Sequence, residues 1–296
     1  MEWINYNHLF YFWTVARHGS VSKASAELQL SQPTISEQIH KLEESLGVKL
    51  FERAGRGLRL SEAGHVAFHY ADDILRSGRD LRAALTGAPA IPSRLAVGLS
   101  HSVSKLVAYQ LIAPALRGGS PPRLLCVEDR AEQLFARLAL RQLDLILSDA
   151  PLPTTANIKA FSRRIAHSGI SFLAAAKPPR SRKFPQLLDG APFLMPEPNT
   201  PLHSSLQNWF DAQTIRPTIA GEFSDPDLLA VFGQQGTGIF AVPTIVEREV
   251  RSQYRVEIVG RTTDITTEFY AITVDRRIIH PSVEIISKAG NRPGKL

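Results

Sequence analysis

The 296-residue chain has one cysteine, Cys126, and only two methionines and three tryptophans. A lone cysteine excludes an internal disulfide framework and any cysteine-rich zinc site, which fits a reducing compartment. No apolar run approaches the length that spans a bilayer, and Glu2 and scattered polar residues stand where an export signal would be basic and then apolar. A cytoplasmic protein without a membrane segment is expected. Internal repeats and low-complexity tracts are also missing. No histidines share the spacing of a metal site: His65 and His69 are four apart but lack a third ligand nearby, so neither a metal nor a cofactor is expected. Cys126, within an apolar stretch and without a basic neighbour in sequence, is expected to be a core residue rather than a reactive thiol.

What the chain does have is enough apolar residue, 44%, to fill two or three cores. Its net charge of +6 is unevenly spread. Residues 1 to 87 hold ten Lys or Arg against ten Asp or Glu, so the surplus belongs to the remainder. Gross charge therefore says little about partners, and local placement has to decide.

Residues 20 to 61 are the most specific part. Val21, Ala24, Ser25 and Leu28 form one helical face with small residues at its centre, suited to close crossing by another helix. After Gln29 and Leu30, Ser31 can cap a new helix that tolerates Pro33 in its first turn. From there Ile35, Ile39, Leu42 and Leu46 make a buried stripe, leaving Gln32, Thr34, Ser36, Gln38 and Lys41 on a free face. Those side chains suit base edges and phosphates in a major groove. Upstream, Leu9, Phe12, Trp13 and Ala16 supply a third amphipathic helix. Downstream, Lys49, Arg53, Arg56 and Arg59 stand against one acid, Glu52, around a hairpin tip at Gly55 and Gly57, shaped to lie on a phosphate backbone. An ordinary helical corner leaves the polar face and the basic hairpin without a reason. Base contacts are expected from Gln32, Pro33, Thr34 and Ser36, with Gln38 beside them, and phosphate contacts from Ser31, Lys41, Arg53, Arg56 and Arg59.

Ser61 can cap a long helix with a seam at Ala63, Ala67, Tyr70, Ile74, Ser77, Leu81 and Ala84, spaced as in a coiled coil and pointing to a dimerising linker. Gly87 to Pro92 break it. The chain then alternates strand and helix: strands at Leu95–Leu99, Leu124–Glu128 and Leu143–Leu147 with helices over 103–117 and 131–141, the order of a parallel sheet. A second alternation runs through Ile170–Ala175, the helix Leu202–Ala212, Thr218–Phe223, the helix Asp227–Gly233 and Gly238–Val242. Glu268–Val274 and a helix over Val283–Lys288 return to the first unit. The expected architecture is multidomain α plus α/β. A winged helix-turn-helix covers 1–61, a linker helix 62–87 and a two-lobed α/β effector domain 88–296, with lobe I about 93–163 and 268–296 and lobe II about 164–267.

Ligands of such lobes sit beyond the carboxyl ends of the strands. The candidates there are Ser100, His101, Ser102, Ser148 and Asp149 from one lobe and Glu222, Asp225 and Thr237 from the other. Hydroxyls and carboxylates suit a small hard cation and suit a polar metabolite equally. The same residue types also cap helices. An α/β enzyme is the competing class, but its signals are poor. Ser100 is followed by His101 and Ser102 where a nucleophile elbow needs glycine, and Gly233, Gly236 and Gly238 lie between helix and strand, the reverse of the order in a dinucleotide site. A bare solute-binding module would lack the amino-terminal unit.

The segment Leu9 to Gly64 closely resembles the DNA-binding region of LysR-type transcriptional regulators. The resemblance rests on Gly19-Ser20, Ala24, Leu28, Ser31-Gln32-Pro33, Ser36, Ile39, Leu42-Glu43, Leu46-Gly47, Leu50-Phe51, Arg53, Leu60 and Glu62-Ala63-Gly64. Ser25 departs from the usual alanine, with little change in size. Leu143-Asp144-Leu145-Ile146 and Gly236 through Pro243 look like the family's effector domain. The resemblance implies binding to a double-stranded operator, a dimer through the linker helix, a tetramer built from two dimers, and a small effector between two lobes resembling periplasmic binding proteins. It also implies contact with RNA polymerase where the regulator is an activator. A finer likeness, in Ile4 through Leu9, Gly55-Arg56-Gly57-Leu58, Leu147 through Pro151 and Gly221-Glu222-Phe223, is to an activator of a sodium/proton antiporter gene. That likeness implies sodium or lithium as the signal. Control of a metabolic operon by an organic anion remains the alternative.

Overall fold

The computed structural model describes residues 3–54, 57–86, 93–117, 121–156, 158–176, 183–198, 200–274 and 280–289. Of the hairpin tip expected at Gly55 and Gly57, Gly55 and the following Arg56 lie outside the described residues, as does the break at Gly87 to Pro92. The chain divides into two compact units, Met1–Ser93 with Leu140–Gln142, and Arg94–Ala139 with Leu143–Leu296. No helix among the described residues is long and apolar enough to cross a membrane.

In the first unit, α1 (Tyr6–His18) starts where the Asn5 side chain accepts the Asn7 amide at 2.9 Å and stops at Gly19, whose φ of 62° ends the helix. Ser20 caps α2 (Val21–Leu28), which ends on Gln29 at φ 54°. Ser31 caps α3 (Gln32–Leu46) by accepting the Thr34 amide at 3.3 Å, Pro33 sits in the first turn, and Gly47 at φ 69° closes it. The hairpin β1 (Phe51–Ala54) and β2 (Gly57–Leu60) follows, antiparallel, with Phe51 opposite Leu60. Leu9, Phe12, Trp13, Val15, Ala24, Ile35, Ile39, Leu42, Leu50 and Ala71 form the core of this unit. Ala24 is fully buried, which is why a small side chain is needed where α2 crosses its neighbours.

Helix α4 (Glu62–Thr86) is 25 residues long, about 37 Å at 1.5 Å per residue. Its expected single seam is split by the structure. Ala63, Ala67, Phe68 and Leu75 pack on the core with Ala71, whereas Tyr70, Ile74, Leu81 and Leu85 face solvent, the last two 62% and 78% exposed. The side chain of Ala84 lies outside the description.

The second unit opens with β3 (Arg94–Ser100), α5 (Lys105–Ile112), β4 (Arg123–Asp129), α6 (Ala131–Ala139) and β5 (Leu145–Ser148). Then come β6 (Phe161–Ala174), β7 (Pro192–Pro196), α7 (Pro201–Ala212), β8 (Thr218–Phe223), α8 (Pro226–Gln234), β9 (Ile239–Pro243), α9 (Glu247–Tyr254), β10 (Glu257–Thr273) and α10 (Pro281–Ala289). The helix expected over 103–117 is shorter, because a 3-10 turn at Ala113–Leu116 with Pro114 near its start takes over the last turn. The strand order is β4-β3-β5-β10-β6-β9-β7-β8. β3 is parallel to β4 and β5, and β7 to β8 and β9, but β10 runs antiparallel to β5 and β6, and β6 to β9, so the sheet is mixed rather than parallel.

Two long strands join the lobes. β6 and β10 pair from Phe161 opposite Thr273 to Ala174 opposite Glu257, with a register shift between Thr262 and Thr267 where each strand leaves one lobe for the other. The strands expected at Ile170–Ala175 and Glu268–Val274 are therefore halves of longer ones. Their polar halves, with Arg163, Arg164 and His167 in one and Thr262 to Glu268 in the other, carried no alternating apolar signal. One core is shared by both lobes, with Leu95, Leu99 and Leu145 in the same cluster as Leu194, Leu229 and Phe240. A further cluster lies in each: Phe172, Phe193, Leu206, Trp209 and Phe210 in one, and Ala96, Leu134, Leu138, Leu143, Ile146 and Ile272 in the other.

Cys126 is exposed, contrary to the core position expected of it. β4 is an edge strand, and Leu124, Leu125 and Cys126 all remain open. An apolar run in sequence marks a strand, but whether it is covered depends on what packs on the edge.

Candidate functional sites: a helical DNA face and an effector cleft

Burial of Ile35, Ile39 and Leu42 turns the other side of α3 outward. Gln32, Pro33, Ser36 and Lys41 are exposed, and Thr34 and Gln38 are half-buried. The Ser31 hydroxyl, besides capping α3, lies 2.7 Å from the Thr34 hydroxyl, so the first turn presents two linked hydroxyls beside Gln32. Lys41 pairs with Glu37 one turn earlier at 2.7 Å. That pair holds the ammonium on the helix face and partly offsets its charge. Arg59 on β2 is exposed, Arg56 lies outside the described residues, and Arg53 is placed on β1 without a described side chain.

Lys49, read in the sequence as part of the basic run, is tied at 2.7 Å to Glu43, a carboxylate that is only 9% exposed. Glu43 also accepts the amides of Leu50 at 2.9 Å and Phe51 at 3.4 Å. Burial pushes its carboxyl up, but Lys49 and the two amides outweigh burial and leave it below the usual carboxylate range.

The second unit holds a cleft of about 800 Å³, part of it open to solvent, between the strand ends of the two lobes. Its polar lining comes from Ser102, Ser104 and Asp149 on one side and Thr200, Ser224, Asp227, Tyr254 and Thr267 around the rest; Leu106, Val107, Phe223, Leu229 and Phe269 supply apolar wall. Asp149 follows β5 and accepts the Ser102 hydroxyl at 2.5 Å. Burial raises its carboxyl above the usual range, and the Ser102 bond compensates only in part. Burial likewise raises Asp227, although its carboxylate accepts the Lys105 amide at 3.0 Å. The Lys105 ammonium lies 2.9 Å from Glu128, 3.8 Å from Asp227 and 3.9 Å from Asp225. Burial pulls its pKa down, but the Glu128 bond and these carboxylates raise it on balance. Among the described residues no Lys, Arg or His side chain lines the cleft.

Of the effector candidates read from sequence, the structure brings Ser102 and Asp149 into the cleft. Ser100 sits behind them, its hydroxyl 3.1 Å from that of Ser102. His101 points to Glu128 at 3.2 Å, and the Ser148 hydroxyl accepts the Ala150 amide. Glu222 on β8 and Thr237 before β9 are exposed and outside the lining. Asp225 caps α8 through the amides of Asp227 and Leu228. The structure puts its neighbour Asp227 in the lining instead, because the cap turns residue 225 toward the helix and residue 227 toward α5. Ser104, Thr200, Ser224, Tyr254 and Thr267 went unread. Thr200 before Pro201 did carry a local signal, a capping residue ahead of a first-turn proline. Tyr254 and Thr267 carried none, since α9 is strongly polar and Thr267 lies in the polar half of β10.

Comparison with known proteins matches a family model to each part of the chain. The model for the bacterial regulatory helix-turn-helix protein of the lysR family matches residues 6–65, and that for the LysR substrate binding domain matches residues 91–285. The transcriptional activator protein NhaR of Escherichia coli K12 is 36% identical over 286 residues, covering 97% of this chain and 95% of that protein. Among solved structures, a mutant OxyR from Corynebacterium glutamicum aligns over 97% of this chain and 93% of its own, at a TM-score of 0.59 and 18% identity. Vibrio fischeri DarR in complex with DNA aligns over 96% of this chain and 97% of its own, at 0.51 and 19%. With a helix-turn-helix whose polar face is open, followed along the chain by a two-lobed α/β domain, the chain belongs to the LysR family of transcriptional regulators.

Proposed function

We propose that this regulator is a transcriptional activator whose signal is a small cation, sodium or lithium, taken up in the cleft between the lobes. The observation that carries the reading is Asp149, a carboxylate lodged in a cleft without a basic side chain in its described lining and hydrogen-bonded by the Ser102 hydroxyl. Asp227 has the Lys105 ammonium 3.8 Å away, but an organic anion would meet Asp149 with no basic side chain in the described lining, whereas a hard cation is stabilised by carboxylate and hydroxyl oxygens. The whole-length similarity to NhaR, itself named a transcriptional activator, supports the activator reading. Thermal unfolding in sodium, lithium, potassium and choline chlorides at one ionic strength tests it, since a ligand that prefers the folded state raises the melting temperature. A selective rise with sodium or lithium is expected. A rise with organic ammonium ions or anions alone would replace the alkali ion as signal.

On DNA, Gln32, Pro33, Thr34 and Ser36 read bases, with Gln38 beside them, and Ser31, Lys41, Arg53, Arg56 and Arg59 meet phosphates. The protein works in the cytoplasm by binding rather than catalysis, as a dimer through α4 that pairs into a tetramer, and an activator in this position also meets RNA polymerase. Exposed apolar side chains support the assembly: Tyr70, Ile74, Leu81 and Leu85 on α4, and Leu228, Val231 and Phe232 on α8. Light scattering on the eluted protein checks it, with a monomer as the contrary result.

A further inference from the structure

Glu43 is the one carboxylate on α3 that faces inward. Glu37 and Glu44, on the same helix, are exposed. A side-chain acid 9% exposed in a small core is costly unless its oxygens are satisfied, and both are: Oε1 takes the Leu50 and Phe51 amides, Oε2 the Lys49 ammonium. Lys49, Leu50 and Phe51 lie at the start of the hairpin, while His40 of α3 itself is 4.0 Å from Oε2. The carboxylate thus ties the carboxyl-terminal half of α3 to the root of the hairpin.

The hold continues beyond the hairpin. The Leu50 carbonyl accepts the Ser61 amide at 3.0 Å, and the Ser61 hydroxyl donates to the Lys49 carbonyl at 2.6 Å while accepting the Gly64 amide at 2.9 Å. A side chain at Gly64 would place its Cβ 2.0 Å from the Leu50 oxygen, so the first turn of α4 lies directly on the hairpin root. Leu50 is therefore gripped on its amide side from α3 and on its carbonyl side from α4.

We propose that Glu43 is a positioning residue for DNA binding, locking the hairpin to α3 so that both meet the duplex as one rigid piece whose root is also fixed to the start of α4. The proposal rests on the reading of α3 and the hairpin as the DNA surface. Rigid placement matters because hairpin arginines gain phosphate contacts only when the hairpin is held at the backbone while α3 is seated in the groove. A loosened hairpin spends part of its time off the phosphates, and fewer counterions are then released on binding.

The test is the salt dependence of binding by the full-length chain to a duplex selected from a random-sequence library, for wild type, Glu43→Ala, Glu43→Asp and Glu43→Gln. Melting temperature and helical signal confirm folding of each variant. Glu43→Ala is expected to lose about tenfold or more in affinity, with a log–log salt slope shallower by about 0.9 for each phosphate contact forfeited. Glu43→Asp, one methylene short of the amides, is expected to follow it and supplies the answer where Glu43→Ala fails to fold. Glu43→Gln keeps an oxygen for the Leu50 amide and is expected to restore most of the slope. A folded Glu43→Ala or Glu43→Asp with the wild-type slope overturns the proposal, as does a Glu43→Gln no better than alanine. Salt-independent binding by wild type would instead remove the DNA surface itself.

Discussion

The DNA face and the effector cleft are assembled by opposite routes. The face is made within one helix and one hairpin: caps at Ser31 and Gly47 fix the ends of α3, the buried apolar residues Ile35, Ile39 and Leu42 fix its rotation, and Gln32, Pro33 and Ser36 are left outward. The cleft gathers Ser102, Asp149, Thr200, Asp227, Tyr254 and Thr267 from six separate stretches of chain. A locally made surface is open to solvent and ready for a large, charged partner. One made at long range buries carboxylates and selects by what it fails to neutralise.

The comparison predicts different failures at the two places. Leu42→Ala, deleting a fully buried side chain from the first core, is expected to cost about 2–5 kcal/mol and to abolish operator binding. Chemical denaturation followed by gel shift checks this; a stable, fully binding Leu42→Ala would show that α3 does not depend on that core. Gln32→Ala is expected to lower discrimination between the selected duplex and a scrambled one by about 1–3 kcal/mol while leaving the salt slope nearly unchanged. Competition binding measures it, and an equal loss on both duplexes would move Gln32 to the phosphates. Arg59→Ala should do the reverse, weakening both duplexes alike and lowering the slope by about 0.9.

Asp149 sharpens the other side. Because its folded carboxyl is raised above the unfolded value near 3.9, the folded state holds the extra proton between the two values. Ionised Asp149 thus costs stability above its folded pKa, and that cost disappears as pH falls through it. Asp149→Asn is expected to raise the melting temperature at neutral pH in the absence of cation and to remove the cation response. In the wild type, the response should weaken on acidification at a pH above that of an ordinary aspartate. Melting curves over a pH series descending from above neutrality to the range of an ordinary aspartate give both results, and a cation response unchanged in Asp149→Asn would take the ion elsewhere.

How much could be read beforehand follows the same division. The helix-turn-helix was legible because its signals are local: Ser20 and Ser31 cap, Gly19 and Gly47 stop, and apolar spacing sets the buried face. Glu43 was visible only as part of the family pattern. Its task depends on amides seven and eight residues away that meet it after Gly47 turns the chain. In the second unit, β7 was missed since prolines bound it at 192 and 196, and α9 since its sequence, EREVRSQY, is almost wholly polar. Yet both have firm physical support. Phe193 and Leu194 are fully buried, and Glu247 is held by Ser171 at 2.7 Å and by both nitrogens of the Arg261 fork. The cleft was half legible: strand ends named Ser102 and Asp149, but nothing local distinguished Asp225, a cap, from Asp227, which faces the cleft.

The most direct measurement is fluorescence anisotropy of the full-length protein on the selected duplex and a scrambled one, across salt concentration at constant pH. The account predicts tighter binding to the selected sequence and, on both, affinity that falls linearly in log–log form with added salt. Equal affinity for the two duplexes, or affinity indifferent to salt, would contradict it.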